Sequence, residues 1–520
     1  MTRLAWFTCF FWLASMPALA PAAPSTPATQ DEILELLETS LAAGEGAPAQ
    51  ALLTKYLSEY PRTPAVVELE VLAAFYSGDY EGAAVGVSEL RAEPGGAREL
   101  GFLADVIVNT YETTKDYETF RSGNIEVRYA PGPDEILVPY AVDALKAAAD
   151  AIEQELGATM VSPIRLEIYP DAESLAKVST LSIDAIRNTG TIALCKWGRL
   201  MIASPRALLR GYPWLDTIAH EYVHLIITKA TVDRAPVWLQ EGLAKLLETR
   251  WRLDAVGLPV NPASDRLLHG AVESGELLDF DQLHPSIALL PSQRDAALAF
   301  AQVSSFMERF YDKHGSAGVQ RSLADIAGGT DAREALSAAS DTPWAELEKS
   351  WKAALASRPP PPAARLLRRY LSGEATENDE LADVERERAR KHLRLGDLLW
   401  VRSRAAAASV EYGKAHRVAP DDPVVASRFA RAAIAGGRPR DALDPLEYTL
   451  LLYPSHAPAQ ASLATALWRT GNRQGARQAA RQAIALNPFD PQPHCILAEV
   501  GGPTADYERG LCSRFGGPRE

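Results

Sequence analysis

Residues 220–224 read His-Glu-Tyr-Val-His, inside a stretch (215–228, LDTIAHEYVHLIIT) that is apolar on nearly every side. The spacing predicts a largely buried helix, with Asp216 as its cap or a first-turn acid. On that helix His220 and His224 stand at i and i+4, so both imidazoles leave one face a turn apart, with Glu221 beside them. A buried carboxylate is costly unless it is paired or bound to metal. A second carboxylate follows seventeen positions after His224: Glu241, in Trp-Leu-Gln-Glu-Gly (238–242), on an apolar stretch that Pro236 opens as a favoured first-turn residue. Gly242 beside it costs helix stability and predicts close approach of a neighbour. Two hydrogen-bonded core histidines would account for His220 and His224 but not for Glu241. Two His and one Glu form the donor set of one zinc ion with a fourth position open, and Glu221 is placed as a proton acceptor.

HEYVH followed by PVWLQEGLA resembles the gluzincin zinc metallopeptidases, in particular peptidase-MA-like bacterial domains with a W-x-x-E-G-x-A second motif, over about residues 115–355. The resemblance implies zinc at His220, His224 and Glu241, with Glu221 as catalytic base. It implies peptide hydrolysis by Glu-assisted attack of zinc-bound water, and an α+β, mostly helical fold: a small sheet, the HEYVH helix, then a helical lobe. Gluzincins usually add a Tyr or His that stabilises the oxyanion. The corresponding place here holds Phe300, which leaves Tyr311, His314 and Tyr212 as candidate donors. Asp216, Asp233 and Glu248 are candidate partners for the far side of the histidines.

The C-terminal region repeats itself. Pro420, Pro454 and Pro488 are 34 residues apart, as are Ala408, Ala442 and Ala476, and Ser403, Gly437 and Gly471. That is the period of tetratricopeptide (TPR) units, which the region resembles although the usual tryptophan position holds His392, Ala426 and Gln460. A fainter version, with Pro61 and Pro94 as punctuation, makes residues 31–112 TPR-like and too short to stand without the next domain. Between the two arrays, alternating or apolar runs predict strands at 124–130, 163–170, 191–195 and 199–204, the last two as a hairpin around Lys196-Trp197-Gly198. The expected division is a signal peptide (1–22), a disordered spacer (23–30), an N-terminal helical region (31–112), the gluzincin-like domain (113–356), a Pro-rich linker and charged segment (357–385), three TPR repeats (386–493) and a C-terminal tail (494–520). The charged run 374–390 reads as a solvated helix.

Arg3, the apolar run 4–16 and Ala18-Leu19-Ala20 form a secretory signal pattern, so the expected location is exported, periplasmic or secreted in a bacterial envelope, with no membrane span after cleavage. A net charge of −14 argues against nucleic acid as partner. Cys495 and Cys512 are spaced to pair, and Cys195 reads as a core thiol. The expected partners are a protein or peptide substrate and a protein bound by the repeats. The competing expectations are an inactive zinc-binding TPR scaffold, which Phe300 favours, and a zinc hydrolase of non-peptide amides.

Overall fold

The computed structural model describes residues 29–92, 100–159, 163–252, 261–283, 286–376 and 379–516. The expected signal segment, most of the spacer and Pro94 lie outside the described residues. The fold is α+β and mostly helical. Its one sheet among the described residues has five strands in the order β1-β2-β3-β5-β4: β1 Glu118–Ser122, β2 Ile125–Tyr129, β3 Ile164–Tyr169, β4 Ala193–Lys196 and β5 Arg199–Ala203. β2, β3 and β5 run parallel, and antiparallel hairpins close both edges. β3 and β5 are buried along their whole length, as central parallel strands are, although β3 (IRLEIY) carries Arg165 and Glu167, the latter paired with Arg199 of β5. β1 (ETFRS) is exposed and carries no alternation, and for that reason it is absent from the sequence prediction. The β4–β5 turn is Trp197-Gly198, both at positive φ (55° and 70°), with Lys196 opposite Arg199. That is a two-residue primed turn, whose twist matches the strands.

The HEYVH helix (Trp214–Thr231) packs on β4, β5 and the helix Leu137–Leu156, and is buried over most of its length because it lies between sheet and helical lobe. The second motif lies on Val237–Leu247, against the long helix Gln293–Ala327. A Cβ on Gly242 would come within 2.8 Å of the Val303 carbonyl, which identifies the neighbour that its lack of a side chain admits.

Among the described residues five helices precede the sheet, from Gln30–Ala42 to Leu103–Thr114. They dock on it: Tyr80 donates a hydrogen bond to Glu167 of β3, and Phe75 and Tyr80 share the main core with the strands. Gly44 lies against Gly198, where a Cβ on Gly198 would stand 2.2 Å from the Gly44 carbonyl oxygen.

The C-terminal helices follow the 34-residue period in detail. First helices begin at Pro423, Ala457 and Pro491, second ones at Ala405 and Arg473, with a 3-10 turn at Pro439. Ala408, Ala442 and Ala476 are fully buried where paired helices touch. Ser403, Gly437 and Gly471 all adopt positive φ in the turn between them.

Two expectations are corrected. The described part of the expected tail (494–516) is helical: Pro491–Val500 and Ala505–Arg514 form a further pair, joined by a Cys495–Cys512 disulfide and centred on buried His494, which contacts Glu508 at 2.6 Å. The periodic start at Pro491 continues the array beyond the last clear repeat. The described part of the Pro-rich linker and charged segment (357–385) is docked on the other domains, and the described residues of 374–390 do not form one solvated helix. Ala364 is buried with Leu452 and Tyr453, Leu209 donates to the Tyr370 carbonyl (2.9 Å), and Ser372 donates to that of Ala207 (2.8 Å). The charged run instead contains a short helix, Glu380–Asp383, and the start of Glu387–Val401, with Glu380 buried on Arg210. Such docking turns the segment into a strap. The strap and the repeats reach the HEYVH helix together: the Trp214 indole donates to the Ile484 carbonyl (3.1 Å), and the Tyr212 amide to that of Leu486 (2.9 Å).

Candidate metal centre

The helical spacing of 220 and 224 brings the two imidazole Nε2 atoms to 3.2 Å from each other. From the facing helix, Glu241 Oε2 lies 3.2 Å from Nε2 of His220 and 3.4 Å from Nε2 of His224. Tetrahedral zinc with bonds of about 2.0–2.1 Å needs ligand atoms about 3.3 Å apart, so this triangle fits the ion on its edges. All three side chains are nine-tenths buried or close to it, which keeps competing water from most of the donor set.

The far side of each ring is held. Nδ1 of His220 lies 3.0 Å from Glu248 Oε2, and Lys245 lies 2.6 Å from the other Glu248 oxygen. Nδ1 of His224 lies 3.3 Å from the Gln240 amide oxygen, whose nitrogen donates to the Ala235 carbonyl. Nδ1–H bonds to these acceptors leave both Nε2 lone pairs aimed into the triangle, the tautomer that binds a cation.

In the absence of an ion the same carboxylates favour a proton on His220, a positive charge whose place a metal ion would take. Burial opposes a charge on His220, but hydrogen bonds to Glu241 and Glu248 outweigh it and raise its pKa to about 10. Burial likewise opposes charge on Glu241, yet the neighbouring His224 and His220 hold its carboxyl well below the usual carboxylate range. Burial raises Glu221 to about 6 against the pull of both histidines, and its Oε2 has no hydrogen-bond partner among the described residues. Three carboxylates around two imidazoles make a pocket that favours a positive ion at its centre.

Among the candidate partners of the histidines, the structure selects Glu248. Asp216 accepts from the Trp251 indole (3.1 Å) and from Arg252, so its place is the helix's first turn, without a bond to either histidine. Asp233 lies past the helix end at φ 56°. The candidate oxyanion donors are not brought to the triangle as free groups. Tyr311 donates to Glu155 (2.6 Å) beneath Arg250, and His314 packs on Phe310; neither lines the cleft. Tyr212 does line it but gives its hydroxyl to the Ala203 carbonyl. Phe300 places its ring edge-on to His220, 6.4 Å between centroids. Cys195 also faces the cleft, where burial, with Glu221 and Asp233 nearby, pushes its thiol well up and makes it a poor nucleophile.

The centre opens into one cleft of about 2630 Å³. Its walls come from the sheet edge, both motif helices, the strap and the repeats, including the helix Arg473–Ile484. Gln240 and the strap and repeat contributions are absent from the sequence expectations. Gln240 precedes Glu241 on its helix and was available from that register; the others are separated from the motif by more than a hundred residues and have no local signal.

Residues 144–357 match the family model of the Peptidase MA superfamily, a segment that contains both motifs and ends before the strap. No curated protein matches the chain. Among solved structures it is similar to the APC/C hetero-tetramer Cut9–Hcn1 (14% identity, 94% of this chain, 88% of that one, TM-score 0.23). It is also similar to yeast LTA4 hydrolase in complex with bestatin (9%, 77%, 67%, TM-score 0.27) and to yeast Tom70 (12%, 94%, 84%, TM-score 0.21). Superpositions this loose carry no argument.

Proposed function

We propose that this chain is an exported zinc-dependent metallopeptidase of the gluzincin kind. The observation that carries the reading is the triangle of His220, His224 and Glu241, with the unpartnered Glu221 carboxylate on the same helix. When bound there, zinc supplies a Lewis acid and makes water acidic enough to ionise near neutral pH. Glu221 takes the proton from the attacking water and returns it to the leaving amine. Glu248 and Gln240 keep the imidazoles oriented, and Phe300 shields His220 from solvent.

A peptide substrate is favoured over other amides by β4. It is one of the sheet's two edge strands, and all four of its residues line the cleft. In its two-residue hairpin Lys196 and Leu194 face β5, so the amide and carbonyl groups of Cys195 and Ala193 point outward. An extended peptide can pair with them as a further strand. The Cys495–Cys512 disulfide supports an oxidising, exported location. No helix among the described residues is long and apolar enough to cross a membrane. The repeats would hold the protein substrate or a partner.

Phe300 favours a second reading, a zinc-holding scaffold without activity. One experiment separates the two: zinc-loaded protein and the Glu221→Gln variant are compared on a proteome-derived peptide library, with zinc content measured for both. The peptidase reading expects zinc in both proteins and cleavage at least ~100-fold slower in the variant, as for loss of a general base. Equal silence of both proteins on the library sinks it.

A further inference from the structure

The cleft has the opposite charge sense from the molecule. The chain carries −14, yet basic side chains outnumber acidic ones along the cleft wall. Its acidic groups are mostly committed: Glu241 to the imidazoles, Glu248 to Lys245, Asp216 to Arg252 and Glu380 to Arg210. Among the cleft arginines, Arg234 bonds the Ala327 carbonyl, and two pairs likewise lack a carboxylate partner among the described residues: Arg368 and Arg369 on the strap, Arg477 and Arg481 on the repeat helix.

Both pairs line the cleft, and one member of each is tied to a backbone carbonyl. Arg369 donates to the Gly190 carbonyl (2.9 Å), and its backbone amide is held by Gln293 (3.2 Å). Its side chain is exposed along the cleft. Arg368 lies over the Tyr370 ring. Arg477 is tied to the Gly501 carbonyl (3.0 Å), and Arg481, one turn on, is exposed. Gln474, Arg477, Gln478 and Arg481 follow i, i+3, i+4, i+7, so the helix Arg473–Ile484 turns one polar stripe into the cleft while its alanines pack on the repeat core.

We propose that the cleft selects acidic polypeptide, holding Asp or Glu side chains of an extended segment between the strap arginines and the repeat arginines while its backbone lies along β4. This rests on the peptidase reading for the bond that is cut, but not for the binding. Guanidinium forks suit carboxylates, and a cleft with low-dielectric walls strengthens such pairs and steers anionic segments inward. An extended segment suits the size of the cleft, which exceeds the volume of a small-molecule site several-fold. Nucleic acid is disfavoured because its long uniform charge would also meet an acidic exterior.

The test uses two fluorogenic peptides of one sequence, one with Asp and Glu, the other with Asn and Gln at those positions. Zinc-loaded protein is assayed for kcat/KM, and its zinc-loaded Glu221→Gln form for binding by anisotropy. The expected result is a preference for the acidic peptide of at least ~10-fold at low salt, shrinking severalfold at 0.5 M salt. The acidic-to-neutral ratio should collapse toward one in Arg368→Gln/Arg481→Gln and persist in Arg440→Gln, whose arginine lies outside the cleft. Equal binding of the two peptides, a ratio unchanged by the cleft substitutions, or tighter binding of a single-stranded oligonucleotide overturns the proposal. Arginine-dependent preference for the acidic peptide in binding, without cleavage of either peptide, upholds this inference and rejects the peptidase reading.

Discussion

At the scale of single residues, the candidate centre rests on groups outside the triangle of His220, His224 and Glu241. Glu248 orients His220 through Nδ1 and is itself held by Lys245. Glu248→Gln keeps an acceptor but loses the charge that makes the ring a stronger donor to a metal. Its zinc affinity should fall 10- to 100-fold by chelator competition, with the fold unchanged by circular dichroism. Full affinity in that variant would show that Glu248 is only a neighbour. His220, Glu221 and His224 were legible because their spacing is local and the helix is nearly continuous in apolar residues. Glu241 followed from its own apolar helix. Nothing comparable distinguished Glu248 from Asp216 and Asp233: all three are acids near the motif in sequence, and only packing decided that Asp216 meets Arg252 and Trp251 instead.

At the scale of elements, close backbone approach joins parts that sequence shows as separate. The β4–β5 turn meets the loop after the first helix at Gly198 and Gly44. A Gly198→Ala substitution places a Cβ at φ 70° and against the Gly44 carbonyl. It should lower stability by at least about 2 kcal/mol in denaturant titration, since strain and contact act together. A loss below about 0.5 kcal/mol would mean that the N-terminal helices shift freely on the sheet. Four strands and the helical repeats could be read because period 2, apolar runs and period 34 are written in consecutive residues. β1 could not, since an exposed edge strand has no buried face to impose a pattern. The expected tail failed differently: its two helices are short, and what holds them is a disulfide and the buried contact of His494 with Glu508.

At the scale of the whole molecule, the strap, the repeats and the metal-bearing lobe meet around one cleft. His456 shows the consequence for pH. It is buried at the start of the helix Ala457–Arg469, with Ser427 on Nδ1 at 3.2 Å. Burial first, then the charges of Arg210 and Arg365, lower its pKa from 6.5 to about 3. Those arginines are paired in turn with Glu380 and Asp422. The unfolded chain therefore binds a proton at His456 between about pH 6.5 and 3 while the folded chain does not. The contribution to stability is whole above pH 6.5 and is lost as pH falls, at about 1.4 kcal/mol per unit for this group. His456→Asn should flatten the fall of Tm between pH 6.5 and 4 relative to the wild type. Parallel curves for the two proteins would remove His456 from the account.

The sequence by itself determined the parts that are local. These are the HEYVH helix with its two imidazoles and carboxylate, the Glu241 helix, the central strands and the 34-residue helical array, each specified by the periodicity of its own residues. Tertiary structure alone decided what those parts enclose. It chose Glu248 and Gln240 as supports, removed Tyr311 and His314 from the cleft, docked the expected linker as a strap, and turned the arginines of a distant repeat toward the metal centre. These outcomes depend on contacts between residues up to several hundred positions apart, such as Tyr140 with Glu508 and Trp214 with Ile484. Such contacts arise from the shapes of finished surfaces and leave no periodic trace in the chain.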